Sequence, residues 1–216
     1  MLDPFCGCGT TIHAAEKLNR KWIGIDVTHL AISKIETRLK KAFPGISYEV
    51  HGTPKDLDGA RDLAGRDKYE FQWWATSMIG ADPYKGKKKG SDEGIDGLLY
   101  FKSSPKIYER AIVSVKGGES LTPDMIRSLG SVMRREKAPI GIFLTLNKPT
   151  RGMTKAAASE GIYSNAYGRC PKIQIFTIEE LLQGLKPQIP LLDLSATTRM
   201  PVTETKDEQL SIENPN

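Results

Sequence analysis

A glycine-rich loop at the start of the chain constrains its fold more than any other feature. Gly7 and Gly9 follow a short apolar stretch and precede a helical pattern over 10–19, so the loop is predicted to join a strand to a helix. Glycine takes positive φ and lets the backbone approach a ligand closely. A second buried strand is predicted over 22–26, and Asp26 at its end can accept hydrogen bonds from ribose hydroxyls. These residues predict a nucleoside-binding corner of a doubly wound parallel sheet.

The following segments continue the same pattern before it changes. Thr28 is a predicted N-cap for a helix whose apolar residues recur at helical spacing. One further strand is predicted over 46–50. Residues 52–68 are polar, with prolines and glycines, and are predicted to be a linker. The first domain is therefore expected to span 1–51.

The loop at 3–11 reads Asp-Pro-Phe-Cys-Gly-Cys-Gly-Thr-Thr. It closely resembles the S-adenosylmethionine loop of amino-methylating DNA methyltransferases, which act on adenine N6 or cytosine N4. The resemblance implies S-adenosylmethionine binding by Asp3, Phe5, Gly7, Gly9, Thr10 and Asp26. The family's catalytic Asp/Asn/Ser-Pro-Pro-Tyr/Phe segment is missing, and Asp82-Pro83-Tyr84 lacks its second proline. The resemblance thus implies the tail of a methyltransferase whose front is missing, and methyl transfer is not expected of this fragment.

The second half of the chain has the pattern of another α/β domain, expected over 69–190 and followed by a polar, disordered tail over 191–216. Strands over 95–101 and 110–116 are predicted to be antiparallel neighbours. The other predicted elements are helices over 69–79, 150–161 and 177–182, a helix starting at Thr122-Pro123-Asp124, and strands over 139–146 and 173–176.

An acid and a lysine flank the predicted antiparallel strands. Asp96 opens the first strand, and Lys116 ends the second, where Ser114 shares its face because side chains alternate. Phosphodiester hydrolysis uses a divalent ion on hard oxygen ligands and a nearby cation. Asp96 and the Val115 carbonyl are the predicted Mg²⁺ ligands, and Glu70 is a candidate second acid. Lys116 is expected to orient or deprotonate the nucleophilic water. The simpler alternative is that Asp96 caps a turn and Lys116 extends from a strand end into water.

This pattern resembles the PD-(D/E)xK nuclease superfamily, and specifically Mrr-type restriction endonucleases. The resemblance runs from about Tyr69 to Leu182 and implies an α/β/α domain with a mixed central sheet that cuts double-stranded DNA. Ser114 departs from the pattern, because Glu or Gln is usual there and serine is a poor metal ligand. Three functions stay open: a Mg²⁺-dependent endonuclease fused to a methyltransferase end, a catalytically silent DNA-binding module of nuclease fold, and a site-specific DNA amino-methyltransferase when complete. The chain is expected to be a piece of a restriction–modification protein.

The amino-acid composition limits the classes of partner that this chain is expected to bind. Lys and Arg number 31 against 26 Asp and Glu, a net charge of +5 that favours nucleic acid. Lysines over 85–89 are predicted to contact backbone phosphates. No apolar run reaches the roughly 18 residues of a membrane helix, and neither a signal peptide nor a paired set of cysteines is evident. A cytoplasmic protein without membrane contact is expected, and a homodimer is left open.

Overall fold

The computed structural model describes residues 1–84 and 94–190. The lysines predicted to contact phosphates, at 85–89, and the predicted tail, at 191–216, lie outside the described residues. Within the described part of the chain, no helix is long and apolar enough to cross a membrane.

The N-terminal segment forms a small β–α–β–α unit. Strand β1 (Leu2–Asp3) pairs in parallel with β2 (Ile23–Gly24), and α1 (Thr10–Lys17) connects them. Helix α2 (His29–Ala42) follows, and the Thr28 side chain accepts a hydrogen bond from the Ala31 N–H as the sequence predicts. This is the partial Rossmann-like arrangement expected from the loop.

The prediction of a strand over 46–50 is wrong, since this segment forms no strand. A strand forms only where its backbone hydrogen-bonds to a neighbouring strand, and the backbone of 47–53 makes no such bond within the described part of the chain. Here side chains hold the segment instead: Tyr48 contacts Glu36 through its hydroxyl at 3.4 Å, and its ring lies 6.1 Å from that of Trp22.

The segment predicted to be a linker, 52–68, is not irregular, because α3 (Leu57–Arg66) occupies most of it. The Asp56 side chain caps α3, and the buried Ala60 and Leu63 pack in the core shared with α4 (Lys68–Met78). Small and polar residues between these apolar positions hide the helical period in the sequence.

The second half is built on a mixed five-stranded sheet with the order β3-β4-β5-β6-β9. Strands β3, β4 and β5 are antiparallel, and β5, β6 and β9 are parallel. The elements in chain order are β3 (Asp82–Pro83), β4 (Gly97–Ser104), β5 (Ile107–Lys116), α5 (Pro123–Arg135), β6 (Ile140–Thr145), α6 (Arg151–Ser159), β7 (Ile162–Asn165), β8 (Gly168–Pro171), β9 (Ile173–Thr177) and α7 (Ile178–Leu182). The β7–β8 hairpin was not predicted, because its short strands are polar and interrupted by turn residues.

Each face of this sheet is covered by helices. Val113 and Val115 of β5 face the core formed with α3, α4 and α7, whereas Ile112 faces the core formed with α5 and α6. The alternation follows from the period of a strand, and the full burial of β6 is typical of a central parallel strand. The α/β/α architecture with a mixed central sheet is thus confirmed.

Candidate functional site

Asp96 lies where the chain turns into β4. Gly94 precedes it with a φ of +77°, a conformation that favours glycine. The Asp96 N–H donates to the Val113 carbonyl at 2.9 Å, and the Asp96 carbonyl accepts from the Tyr84 N–H at 3.0 Å. These two bonds fix the backbone between β3 and β5 and direct the half-buried side chain toward the end of β5.

The Asp96 carboxylate lies against the backbone of β5. Its Oδ2 accepts a hydrogen bond from the Val115 N–H at 2.7 Å. Val115 is fully buried, so its N–H requires an acceptor at this end of the strand. Asp96 therefore has a structural role, although the N–H that it satisfies belongs to a strand and not to a turn.

Ser114 and Lys116 complete this end of β5. Ser114 is only 7% exposed and pairs in register with Phe143, while the exposed Lys116 pairs with Thr145. The structure thus brings Asp96, Ser114, Val115 and Lys116 to one end of the sheet. Serine places a neutral hydroxyl where the nuclease pattern has an acid or amide.

The Glu70 carboxylate is directed to a different part of the molecule. Its Oε2 accepts a hydrogen bond from the His29 N–H, the first residue of α2, at 3.3 Å. Burial lowers the pKa of His29, and this effect exceeds the opposing one of the Glu70 carboxylate. Glu70 therefore joins α4 to the N-terminal segment and is not brought to Asp96 by any contact in the described part of the chain.

Among the residues that the structure describes, Asp96 has few of the neighbouring ligands that a catalytic metal requires. Mg²⁺ is held by carboxylates and keeps near-octahedral geometry. Within 1–84 and 94–190, no three His, Cys, Asp or Glu side chains cluster closely enough to hold a metal ion. One Asp96 oxygen already accepts from Val115, and Ser114 adds no charge. No metal-dependent step is derived for these residues.

Basic residues surround the same end of the sheet. The parallel strands β5 and β6 both end here, so Lys116 lies near the segment that leads into α6. That segment contains the exposed Lys148, and the exposed Arg151 is the first residue of α6. Asn147 joins the segment to the loop after β5 by donating to the Gly118 carbonyl at 3.2 Å. Lys148 and Arg151 were not singled out from the sequence, although polar residues directly after a buried strand could have identified them.

The glycine loop has the predicted backbone. Gly7 and Gly9 have φ values of +47° and +76°. A Cβ at Gly9 would lie 2.7 Å from the Ile35 Cγ1, so both conformation and packing against α2 require glycine there. Phe5 is 84% exposed, and Thr10 begins α1, where its hydroxyl accepts from Arg38 at 3.1 Å.

The Asp26 carboxylate accepts hydrogen bonds from neighbouring residues of the N-terminal segment. Its Oδ2 accepts from the Gly7 N–H at 2.9 Å, and its Oδ1 accepts from the Thr28 N–H and hydroxyl at 3.0 and 3.1 Å. Burial by itself would raise the pKa of Asp26, but these bonds and one from the Val27 backbone hold it below its ordinary value. The Asp3 carboxylate likewise accepts from the Phe5 N–H at 3.2 Å. Both acids suit a loop that binds S-adenosylmethionine, but here they already stabilise the loop itself.

Comparison with known proteins identifies the family to which the second half of the chain is similar. Residues 68–183, more than half of the chain, match the family model described as NACHT-associated inactive Restriction Endonuclease 1. The chain belongs to this family. That description calls the endonuclease inactive, which agrees with the serine at position 114.

Residues 1–36 match the DNA methylase family model of N6 and N4 methyltransferases. A 38-residue stretch is 53% identical to the type II methyltransferase M.EcaI of Enterobacter cloacae, covering 18% of this chain and 8% of that enzyme. The structure of the restriction endonuclease FokI aligns with a TM-score of 0.39 and 16% identity over 76% of this chain and 31% of FokI. The chain thus spans under a third of either relative. It is a restriction–modification-related protein with a methyltransferase fragment and a restriction-endonuclease-like domain.

Proposed function

We propose that the restriction-endonuclease-like domain, over 69–190, is a catalytically silent module that binds double-stranded DNA. One observation supports this most directly: the buried Ser114 lies beside Asp96, at the position where the nuclease pattern has an acid or an amide. A phosphate-cutting site with a metal uses several negatively charged oxygen ligands, and within 1–84 and 94–190 no three His, Cys, Asp or Glu side chains cluster closely enough to hold one.

The basic residues at this end are the proposed phosphate contacts. Lys116, Lys148 and Arg151 lie where the parallel strands end. The proteins that this chain resembles are named as a DNA methylase and as restriction endonucleases. Cations that neutralise phosphates release counterions, so the affinity depends steeply on salt. DNA binding is therefore proposed to be electrostatic, and to require no Mg²⁺.

The methyltransferase segment, proposed to span 1–51, has a structural role in this proposal. Its Asp26 holds the glycine loop and the start of α2, and α2 packs on α4. S-adenosylmethionine would use Asp3, Phe5, Gly7, Gly9, Thr10 and Asp26 in a complete enzyme. We propose that residues 1–51 alone transfer no methyl group.

A DNA-binding titration tests the proposal. Fluorescence anisotropy with a labelled duplex, at several salt concentrations and with EDTA, should show binding that weakens as salt rises. Lys116→Ala should weaken it and reduce the salt slope by about 1. Lys172→Ala is the matched control, because Lys172 precedes β9 at the opposite end of the sheet, and it should change neither quantity. Equal affinities of the two variants would contradict the proposal.

A Mg²⁺-dependent endonuclease is the second candidate. The position of Asp96, Val115 and Lys116 at one strand end supports it, since those are the predicted ligands and cation. Plasmid DNA incubated with the protein and Mg²⁺ separates the two candidates. Intact plasmid favours the silent module, whereas cleavage that is lost in Asp96→Ala and in Lys116→Ala favours the nuclease.

A further inference from the structure

A cavity of about 850 Å³ lies beside β2, between the methyltransferase segment and helices α3 and α4. Its wall includes the consecutive residues Ile23, Gly24 and Ile25. Neighbouring residues of a strand point to opposite faces. The cavity therefore reaches the edge of the strand, as well as Cys6 and Ile12, which pack against one of its faces.

Within the described part of the chain, the edge of β2 that faces away from β1 has no strand partner. The Ile23 and Ile25 N–H groups donate to Met1 and Asp3 on the other side, at 2.8 and 2.9 Å. The backbone groups of Gly24 must point the opposite way, toward the cavity, because successive residues alternate direction. This is an open edge of the kind that accepts another strand.

Another part of the wall is a second stretch of backbone with open hydrogen-bonding groups. Residues 48–53 line the cavity consecutively, as the β2 residues do. Within the described part of the chain, the backbone of 47–53 makes no hydrogen bond to other backbone groups. The cavity is thus bordered by two backbone stretches whose peptide groups can pair with an inserted strand.

The charges of the side chains that line the cavity indicate which kind of inserted strand would fit. Arg66 is the only arginine or lysine among the described residues that line it, and the pKa of His29 is lowered by burial. The lining carboxylates are Asp26, Glu36, Glu49, Asp67 and Glu70. Apolar side chains, such as Ile32 and Leu63, lie between them. An occupant with both apolar and positively charged side chains matches this wall.

We propose that this cavity receives an extended peptide segment of a partner protein, with alternating apolar and basic side chains, which adds a strand between β2 and residues 47–53. Strand addition obtains its affinity from backbone hydrogen bonds and its specificity from alternate side chains. The volume lies within the roughly 300–1,000 Å³ range of binding sites. The site is distinct from the end of the sheet proposed to bind DNA.

A peptide series tests the proposal without altering the protein. The probe is an end-blocked hexapeptide of alternating lysine and valine, titrated into the full chain and followed by the amide resonances of Gly24 and Tyr48. Binding should shift both resonances and protect the Gly24 N–H from exchange. N-methylation of alternate backbone nitrogens keeps the side chains but removes the donors, and should weaken binding about tenfold.

A protein variant tests the charge argument. Glu49→Lys should weaken binding of the basic peptide several-fold, and Glu179→Lys on α7 is the matched control with unchanged affinity. Three results would each overturn the proposal: equal binding of a glutamate–valine hexapeptide, full binding of the N-methylated peptide, or a Gly24 N–H already protected in the free protein. The last would mean that the chain's own segment closes the edge.

Discussion

The carboxylate of Asp96 accepts a hydrogen bond from the backbone N–H of Val115 at 2.7 Å, and this bond joins the start of β4 to the end of β5. The acid that the sequence pattern predicts as a metal ligand thus also satisfies a buried peptide group. A carboxylate has several lone pairs, so this bond also orients the Asp96 side chain. This relationship makes the site testable through stability as well as through DNA.

Removal of the Asp96 carboxylate should destabilise the domain. Asp96→Ala leaves the buried Val115 N–H without its acceptor, at an expected cost of about 1–3 kcal/mol in the free energy of unfolding. Asp96→Asn keeps an acceptor oxygen and should lose less. Urea unfolding of the two variants measures the difference. An Asp96→Ala protein as stable as the wild type would show that the bond contributes little.

A negatively charged side chain at position 114 should make the protein respond to Mg²⁺. Ser114 is buried, so Ser114→Glu is expected to lower the free energy of unfolding by about 1–3 kcal/mol in EDTA. With Asp96 it would form a carboxylate pair, and Mg²⁺ should then raise its thermal midpoint. Ser114→Gln is the neutral control and should not respond. The same Mg²⁺ shift in the wild type would show that a metal already binds.

The stability of the N-terminal segment should fall in acid because of Asp26. The pKa of Asp26 is lower in the folded protein than its ordinary value, since Thr28 and Gly7 donate to the charged form. Its contribution is therefore complete above the unfolded pKa, about 3.9, and is lost as pH falls through the lowered folded pKa. Unfolding measured from about pH 6 downward should show this loss in the wild type. Asp26→Asn should flatten the profile, and an unchanged profile would contradict the assignment.

The contact between α2 and α4 should weaken at mildly acidic pH. Burial lowers the pKa of His29 in the folded protein, so the folded state favours the neutral imidazole. Stability is then complete above the unfolded pKa, about 6.5, and decreases as pH falls from there toward the folded pKa. Amide exchange in α2 should therefore accelerate over that range. His29→Gln should remove the effect, whereas an equal acceleration in this variant would assign it to another group.

Local sequence signals determined much of the fold. The glycine loop and the Thr28 cap predict the N-terminal unit, because each depends on contacts within a few residues. Alternating apolar residues in β5 and the capping box at Thr177 and Glu180 predict their elements for the same reason. The departure at Ser114 is likewise visible in the sequence, and it anticipates the family description as inactive.

Only the tertiary structure decided those elements and side-chain contacts that depend on residues far apart in the sequence. The segment over 46–50 has a strand-like sequence but does not pair with β2, and α3 forms because Ala60 and Leu63 bury against α4. The sequence could place Glu70 on a helix, but only packing directs its carboxylate to His29. Local periodicity fixes which elements can form. Long-range packing fixes which edges are covered and which side chains meet, and no local pattern contains that information.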